Sequence, residues 1–291
     1  MTIYVQLVIV LLVLLSMSSG HIRVDRTEQI LEDDKRVTCV MDRVSFVTDG
    51  DQTEIFTSCT LSDEKIDDEK FSILRGELNQ DTEAFEIANN TEAEFLIENI
   101  ADTFPELKNY RTINCAVKKI NSNHFKNLNA LEVLELSNNG IESISKNAFK
   151  DLANLKILHL DQNNLKVVDP DWFTTLVNLE VLLIDENGIT DLSSKTFEKL
   201  TNLREIYARR NKLTTLPAGL FASNFQLLII ALVDNEILTI STTMFDHLTK
   251  LWILDLRRNV CVDQRYDSIS YLPIRNDLKK RCPQVSVKLN E

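Results

Sequence analysis

Residues 131–165, LEVLELSNNGIESISKNAFKDLANLKILHLDQNNL, decide the fold because their opening pattern returns 24 residues later. The segments 131–141 and 155–165 both follow the pattern L-x-x-L-x-L-x-x-N-x-I/L. The spacing continues in both directions without insertion or deletion, so tandem repeats organise most of the chain. The leucines that open the units are Leu107, Leu131, Leu155, Leu179, Leu203, Leu227 and Leu251.

The L-x-L part of each unit alternates with a period of two, which predicts a short β-strand with one buried face. A single unit cannot bury that face, so neighbouring units must stack to form a continuous core. A unit of this length has too few residues for a long outer helix, so turns and short 3₁₀ or extended segments are expected there. A column of phenylalanines is expected to fill the opposite wall of the core: Phe125, Phe149, Phe173, Phe197, Phe221 and Phe245.

An asparagine column follows the strands at the point where the chain turns while still buried. An unpaired polar backbone group there would cost roughly 1 to 3 kcal/mol, and an amide side chain with two donors and an acceptor prevents that cost. The column contains Asn139, Asn163, Asn187, Asn211, Asn235 and Asn259, with Cys115 in the first unit.

Over residues 107–259 this pattern resembles the extracellular "typical" leucine-rich-repeat family, whose units have 24 residues. The resemblance implies an α/β solenoid, a right-handed horseshoe with a parallel β-sheet on its concave face and disulfide-bonded caps at both ends. The cysteine-capped layout is also similar to small secreted leucine-rich-repeat proteins of insects. One departure is Asn224, which occupies a column of leucines and predicts a local irregularity on the convex side.

The first 20 residues are predicted to be a secretory signal peptide, because an apolar run from Val5 to Leu15 precedes small residues ending at Gly20. The alternative is an uncleaved signal anchor, although the run is shorter than the roughly 20 residues that span a bilayer. We therefore expect a secreted, extracellular protein with no membrane span in the mature chain.

Five cysteines in an oxidising compartment predict disulfides at the two ends of the repeats. Cys261 with Cys282 is expected to close a C-terminal cap over residues 260–291. Cys39 with Cys59 is expected to staple a β-hairpin in an N-terminal cap over residues 21–81. Cys115 is interpreted as a buried substitute within the asparagine column, the alternative being a reactive or intermolecular thiol.

Between the N-terminal cap and the clear units, residues 82–106 are predicted to form a degenerate first repeat that is one residue too long. The segment contains the sequon Asn89-Asn90-Thr91. Asn89 is therefore predicted to be a glycosylation site if it is exposed, since the motif is a glycan acceptor in secreted proteins.

Side chains that lie between the buried strand positions are expected to point to the concave face. Three successive strands place apolar residues there with a charged border, which is the composition of a partner-binding interface. The alternative is that strands favour β-branched residues in any case, so some of these side chains are simply half-buried. The predicted partner-binding residues are Val181, Leu183, Glu205, Tyr207, Arg209, Arg210, Ile229, Ala231 and Val233.

The sequence favours a binding protein over an enzyme. No H-E-x-x-H motif, P-loop or nucleophile elbow is present, so we predict no catalytic residues, no cofactor and no metal. The net charge of −12 argues against nucleic acid as a partner. The predicted function is binding of an extracellular protein or glycoprotein through the concave face, with recognition in innate immunity as one version. The alternative is a structural component of the extracellular matrix, like the small leucine-rich proteoglycans.

Overall fold

The computed structural model describes residues 21–28, 40–48, 51–61, 82–88, 96–102, 104–267 and 271–282. The predicted signal peptide, Asn89 and Cys39 lie outside the described residues, as does the side chain of Cys59. The predicted N-terminal disulfide and glycosylation site therefore stay predictions. The strands are β1 His21–Glu28, β2 Val40–Thr48, β3 Asp51–Leu61, β4 Thr82–Ala88, β5 Asn109–Ile113, β6 Lys119–Ile120, β7 Val133–Glu135, β8 Ser143–Ile144, β9 Ile157–His159, β10 Val181–Leu183, β11 Glu205–Tyr207, β12 Ile229–Ala231, β13 Ile253–Asp255 and β14 Arg265–Asp267.

The main sheet is the one that the repeat pattern predicts. Its order is β1-β2-β3-β4-β5-β7-β9-β10-β11-β12-β13-β14, and all pairs from β3 to β13 are parallel. The register is set by the repeat, since Leu182 pairs with Ile206 and Ile206 with Ile230. Phe85 pairs with Tyr110, 25 positions further on, because the first unit has one additional residue. The chain is therefore a parallel β-solenoid in which each unit forms one coil.

The outer side of the solenoid consists of turns and short segments. The two-residue strands β6 and β8 pair there, and a 3₁₀ turn at Pro170–Phe173 begins after the capping residue Asp169. A second 3₁₀ turn spans Ile100–Asp102. Within the described residues no helix is long and apolar enough to cross a membrane.

The core runs without interruption from coil to coil. The strand leucines and isoleucines and the phenylalanine column are almost fully buried. Phe197 and Phe221 stack with ring centroids 5.8 Å apart and an angle of 13° between their planes. Phe173 lies 6.3 Å from Phe197 on the other side. Because each ring packs between its neighbours, the stability of one coil depends on the coils beside it.

The asparagine column forms a ladder of hydrogen bonds between coils, as predicted. In a representative rung, Nδ2 of Asn163 donates to the carbonyls of Leu136 at 2.9 Å and Leu160 at 3.0 Å. Its Oδ1 accepts a hydrogen bond from the amide of Ile141 at 3.0 Å. The amide side chain therefore satisfies backbone groups of two coils at once.

Cys115 occupies the first position of this ladder and is buried. Its amide donates to Oδ1 of Asn139 at 3.2 Å, and its thiol donates to the carbonyl of Ile113 at 3.5 Å. The thiol also faces the carbonyl of Ile87 at 3.9 Å, in the preceding coil. These contacts support the interpretation of Cys115 as a substitute for asparagine.

The prediction of an irregular backbone at Asn224 is wrong. The backbone at Asn224 makes the same turn as its neighbours, with hydrogen bonds to Phe221 at 3.0 Å and from Leu227 at 3.1 Å. The side chain is completely buried, and Nδ2 donates to the carbonyls of Phe197 at 2.9 Å and Leu200 at 2.8 Å. Its Oδ1 has no hydrogen-bond partner in the described part of the chain. A regular backbone therefore contains a half-satisfied polar group.

His124 is a second polar group buried on the convex side. Its Nδ1 accepts a hydrogen bond from the amide of Asn121 at 3.3 Å. At the equivalent position three coils further on, Oγ1 of Thr196 accepts from the amide of Ser193 at 2.9 Å. Burial lowers the pKa of His124 to about 4, although the nearby carboxylate of Glu98 opposes the shift. The imidazole therefore serves as a neutral hydrogen-bond acceptor.

Both ends of the parallel sheet are covered by antiparallel strands. β1, β2 and β3 form an antiparallel meander in which Thr48 pairs with Asp51, in agreement with the predicted hairpin. At the other end β14 pairs antiparallel with β13, and helix α1 (Tyr271–Arg281) buries Ile274 and Leu278. The predicted disulfide between Cys261 and Cys282 is present.

Candidate functional site

The concave face of strands β10, β11 and β12 contains the side chains that the sequence predicted to bind a partner. The parallel register places Val181, Glu205 and Ile229 in one row across the sheet. It also aligns Leu183, Tyr207 and Ala231 in a second row. Neighbouring strands lie about 4.8 Å apart, so each row presents three side chains within about 10 Å. We call these rows, with Arg209, Arg210 and Val233, the concave patch.

Most apolar members of the concave patch are half-buried rather than exposed. Val181, Leu183, Ile229 and Val233 all fall in this intermediate range. Ala231 is only 6% exposed, so it offers little surface area of its own. The alternative interpretation, in which such residues are partly structural, therefore applies to Ala231.

Tyr207 lies at the centre of the concave patch and is held on two sides. Its hydroxyl donates a hydrogen bond to Oε2 of Glu205 at 2.7 Å. The guanidinium carbon of Arg209 lies 5.3 Å from the centre of its ring, within the range of a cation–π contact. Burial, followed by the hydrogen bond to Glu205, raises the pKa of Tyr207, so the phenol is neutral at physiological pH. A fixed, amphipathic aromatic ring of this kind is a frequent anchor in interfaces.

Arg209 is positioned by a carboxylate that sequence reasoning did not include in the site. Its Nε donates to Oδ2 of Asp185 at 2.8 Å, and its backbone amide donates to the other oxygen of that carboxylate. The Asp185 side chain is 8% exposed, whereas that of Arg209 is 48% exposed. The hydrogen bond with Asp185 raises the pKa of Arg209. The 24-residue spacing between them was the signal for this pairing, because it puts both residues in one row.

A second row of charges follows the strands at their carboxyl ends. Arg210 contacts Glu186, and Arg258 contacts Asp234 at 3.1 Å. Each of these residues has a positive φ, between 51° and 57°, as do the equivalent residues of the other coils. Non-glycine residues adopt this region only where the surrounding structure enforces it, so the backbone that presents these side chains is strongly constrained.

Asp255 and Arg257 form a second buried-carboxylate pair on the strand next to the concave patch, within one coil rather than between two coils. Nε of Arg257 donates to Oδ1 of Asp255 at 2.9 Å, and Arg265 of strand β14 approaches the same carboxylate at 3.8 Å. Although burial opposes it, the hydrogen bonds from Arg257 lower the pKa of Asp255. Sequence reasoning missed this cluster because Arg265 lies in the cap, outside the repeats.

The acidic side chains on the earlier strands are engaged within the sheet. Glu135 accepts a hydrogen bond from Nε of Arg111 at 2.8 Å, and Asp161 accepts one from Oγ of Ser137 at 2.8 Å. Among the described residues no group of three or more histidine, cysteine, aspartate or glutamate side chains is arranged to hold a metal ion. The chemistry of the concave surface is therefore that of paired charges beside apolar side chains.

A parallel β-solenoid with an asparagine ladder and an open concave sheet is typical of repeat proteins that bind other proteins. A family model described as leucine rich repeat matches residues 113–165, 153–213 and 201–260, which together span more than half of the chain. The chain therefore belongs to the leucine-rich repeat family.

The solved structures that match comprise 342 chains. One belongs to the crystal structure of a TLR13–ssRNA13 complex and is 25% identical, with a TM-score of 0.50. The match covers 61% of this chain and only 29% of the TLR13 chain. No curated protein matches the chain. These likenesses agree with the solenoid fold, which typically provides a scaffold for protein interactions rather than an active site.

Proposed function

We propose that this protein is a secreted recognition protein that binds an extracellular protein or glycoprotein through the concave patch. The observation that carries the proposal is the arrangement around Tyr207, which is held by Glu205 and Arg209 between rows of half-buried apolar side chains. Recognition in innate immunity is the version that the likeness to TLR13 supports.

A protein partner suits this surface better than a nucleic acid does. The TLR13 structure is a complex with ssRNA13, and phosphate recognition requires basic groups that are available to neutralise phosphates. Here Arg209 contacts Asp185, Arg210 contacts Glu186, and Arg257 contacts Asp255. Because carboxylates already compensate these guanidinium groups, the concave sheet offers paired charges and apolar area, which are the components of a protein interface.

The experiment is a pull-down from the extracellular fluid of the producing tissue, using the intact protein and a variant with Tyr207→Ala and Arg209→Ala. We expect the intact protein to capture a discrete partner and the variant to lose at least about tenfold in affinity, since central aromatic and arginine anchors dominate interface energies. The matched control is Arg281→Ala on helix α1. Arg281 is 46% exposed and lies 2.7 Å from Asp277, so the change removes a paired arginine of similar exposure that is not part of the concave sheet.

If the double variant captures the partner as well as the intact protein does, the concave patch is not the binding site. Co-sedimentation of the protein with insoluble matrix, without a discrete soluble partner, would favour the matrix role instead. A parallel binding measurement with single-stranded RNA tests the nucleic-acid reading of the TLR13 likeness, and we expect no saturable binding there.

A further inference from the structure

A second polar array lies at the amino-terminal edge of the sheet, away from the concave patch. The residues that immediately precede successive strands are linked by backbone hydrogen bonds, from Lys156 to Glu132, from Glu180 to Lys156 and from Arg204 to Glu180, each at 2.8 Å. Their side chains therefore project side by side at the strand spacing of about 4.8 Å. Together with Asn154, Asn178, Asn202 and Gln226 they line a shallow groove of about 370 Å³.

The asparagines of this groove are fixed in one orientation. Nδ2 of Asn154, Asn178 and Asn202 donates to a carbonyl of the preceding coil, at 2.8 to 2.9 Å in each case. An amide has a second N–H and a carbonyl oxygen in addition to that donor. Each asparagine therefore presents a donor and an acceptor to the groove, and the pair recurs once per coil.

The charged side chains of the groove compensate one another. Nζ of Lys156 lies 2.9 Å from Glu132, and the guanidinium of Arg204 lies 3.6 Å from Glu180. All four side chains remain between 41% and 56% exposed, so their outer polar atoms face solvent. Two acidic and two basic groups balance within the groove, and the ammonium of Lys250, which donates to Oε1 of Gln226, adds one positive charge at the end towards Trp252. A single net charge gives a polyanionic or polycationic ligand little to pair with.

An exposed tryptophan extends this row beyond the groove. The same series of backbone hydrogen bonds continues, from the amide of Leu228 to the carbonyl of Arg204 at 2.7 Å and from the amide of Trp252 to the carbonyl of Leu228 at 2.8 Å. Trp252 is 59% exposed, in contrast to Trp172, which is buried and donates its indole N–H to the carbonyl of Ile144 at 3.1 Å. The row therefore begins with paired charges beside the amides and ends at the exposed indole ring of Trp252.

We propose that this edge groove binds an extended, neutral polysaccharide of β-1,4-linked hexoses, with one end stacked on Trp252. The hydroxyl groups of a sugar need both donors and acceptors, which the fixed amides and the paired charges supply with almost no net charge. The apolar C–H face of a pyranose ring packs on an indole ring, because that ring offers a large apolar surface. One pyranose unit of such a chain is about as long as the spacing between coils of about 4.8 Å, and alternate units are turned over, so every second sugar presents the same face to every second coil.

An extended peptide fits the same groove less well. Peptides that bind along sheets use unpaired backbone groups at a strand edge, and the strands of this array are paired on both sides. The backbone carbonyls of Asn129, Ala153 and Val177 beside the groove already accept the asparagine amides. A regular row of side-chain amides instead matches a ligand with a repeating pattern of hydroxyl groups.

The experiment titrates the protein with chitohexaose and with cellohexaose, using a heparin hexasaccharide as the polyanionic comparison. Tryptophan emission and isothermal calorimetry are the readouts. We expect at least one neutral hexasaccharide to cause a saturable change in the emission of Trp252, while buried Trp172 keeps its own emission. Trp252→Ala should weaken the binding by about tenfold, and Arg204→Ala should also weaken it.

Two matched variants test whether the position matters. Val260→Ala removes an apolar side chain that is 65% exposed outside the groove, and Arg258→Ala removes a paired arginine at the opposite end of the strands. Both should bind the hexasaccharide as the intact protein does. The variant with Tyr207→Ala and Arg209→Ala should also keep this binding, so a failure of the edge groove and a failure of the concave patch are distinguishable.

The proposal is overturned if neither neutral hexasaccharide binds, if the heparin fragment binds more tightly, or if Trp252→Ala binds as well as Val260→Ala. Loss of a captured protein partner in Trp252→Ala, without any hexasaccharide binding, would assign this edge to a protein interface instead. Circular dichroism verifies that each variant is folded.

Discussion

Replacing Asn224 with leucine is predicted to stabilise the protein, although the substitution removes two hydrogen bonds. The buried Oδ1 of Asn224 has no partner among the described residues, and leaving such an acceptor unsatisfied costs about 1 to 3 kcal/mol. A buried leucine side chain adds about 1.5 to 3 kcal/mol of apolar transfer. Leu200 and Leu248 occupy the same position in the adjacent coils and are fully buried, so a leucine fits the column.

The free energy lost with the two hydrogen bonds of Asn224 is smaller than this gain. The two hydrogen bonds from Nδ2 of Asn224 are worth about 1 kcal/mol each in net terms. Their acceptors do not become unpaired, because the carbonyl of Phe197 also accepts from the amide of Leu200 and that of Leu200 from Leu203, both at 3.1 Å. Allowing about 1 kcal/mol for the repacking of a larger side chain, we expect the free energy of unfolding to rise by about 1 to 2 kcal/mol.

The assay is urea denaturation followed by far-ultraviolet circular dichroism, with Asn163→Leu as the matched control. In that variant the same chemical change leaves the buried amide of Ile141 and the carbonyl of Leu136 without the side chain that joins them. We expect Asn163→Leu to lower the free energy of unfolding by about 3 kcal/mol. A fall in stability for Asn224→Leu that is comparable to that of Asn163→Leu would refute the reasoning. The Asn224 amide would then stabilise the fold as the Asn163 amide does, despite its unpaired Oδ1.

Three further predictions concern the core, the cap and the convex histidine. Phe197→Ala should lower the free energy of unfolding by about 3 to 5 kcal/mol, measured in urea, because the cavity interrupts the aromatic column. Reducing the disulfide between Cys261 and Cys282 should cost about 3 kcal/mol, and melting with and without reductant measures that loss. The pKa of His124 is about 4 in the folded protein, below its ordinary value of 6.5. Its contribution to stability is therefore complete above pH 6.5 and is lost as the pH falls through 4, by up to about 3 kcal/mol. His124→Thr, which copies the residue at Thr196, should remove that acid-dependent component in urea titrations across this range; an unchanged pH dependence would exclude His124 as its source.

The repeats could be predicted from the sequence because one physical requirement recurs in every unit. A coil can bury its strand face and its phenylalanine only in register with its neighbours, so the spacing fixes the pairing of Leu182 with Ile206 and the stacking of Phe197 on Phe221. The direction of the concave side chains follows from the same alternation. The strand positions of Val181 and Tyr207 were therefore available from the sequence alone.

What was not predicted depends on side-chain contacts rather than on the repeat pattern itself. The 24-residue spacing places Asp185 beside Arg209, but it does not show that the two side chains pair, so Asp185 was left out of the predicted site. Asn224 suggested an irregular backbone because its amide is polar, whereas the neighbouring coils impose the regular turn and bury the amide. Trp252 gave no signal because it stands outside the alternating strand positions, in a column that is otherwise mostly charged.

The two surfaces of this solenoid follow from the same geometry and favour different ligands. On the concave face, carboxylates pair with Arg209 and Arg210, and Arg210 has a constrained backbone with positive φ, so the proposed docking of a partner would cost little conformational entropy. Because those charges are already compensated, the proposed partner would be selected by its match to the charge pairs and apolar rows rather than by long-range attraction. At the amino-terminal edge three successive coils each present an asparagine amide to solvent, and a row with this spacing favours a ligand whose units advance by about the same length.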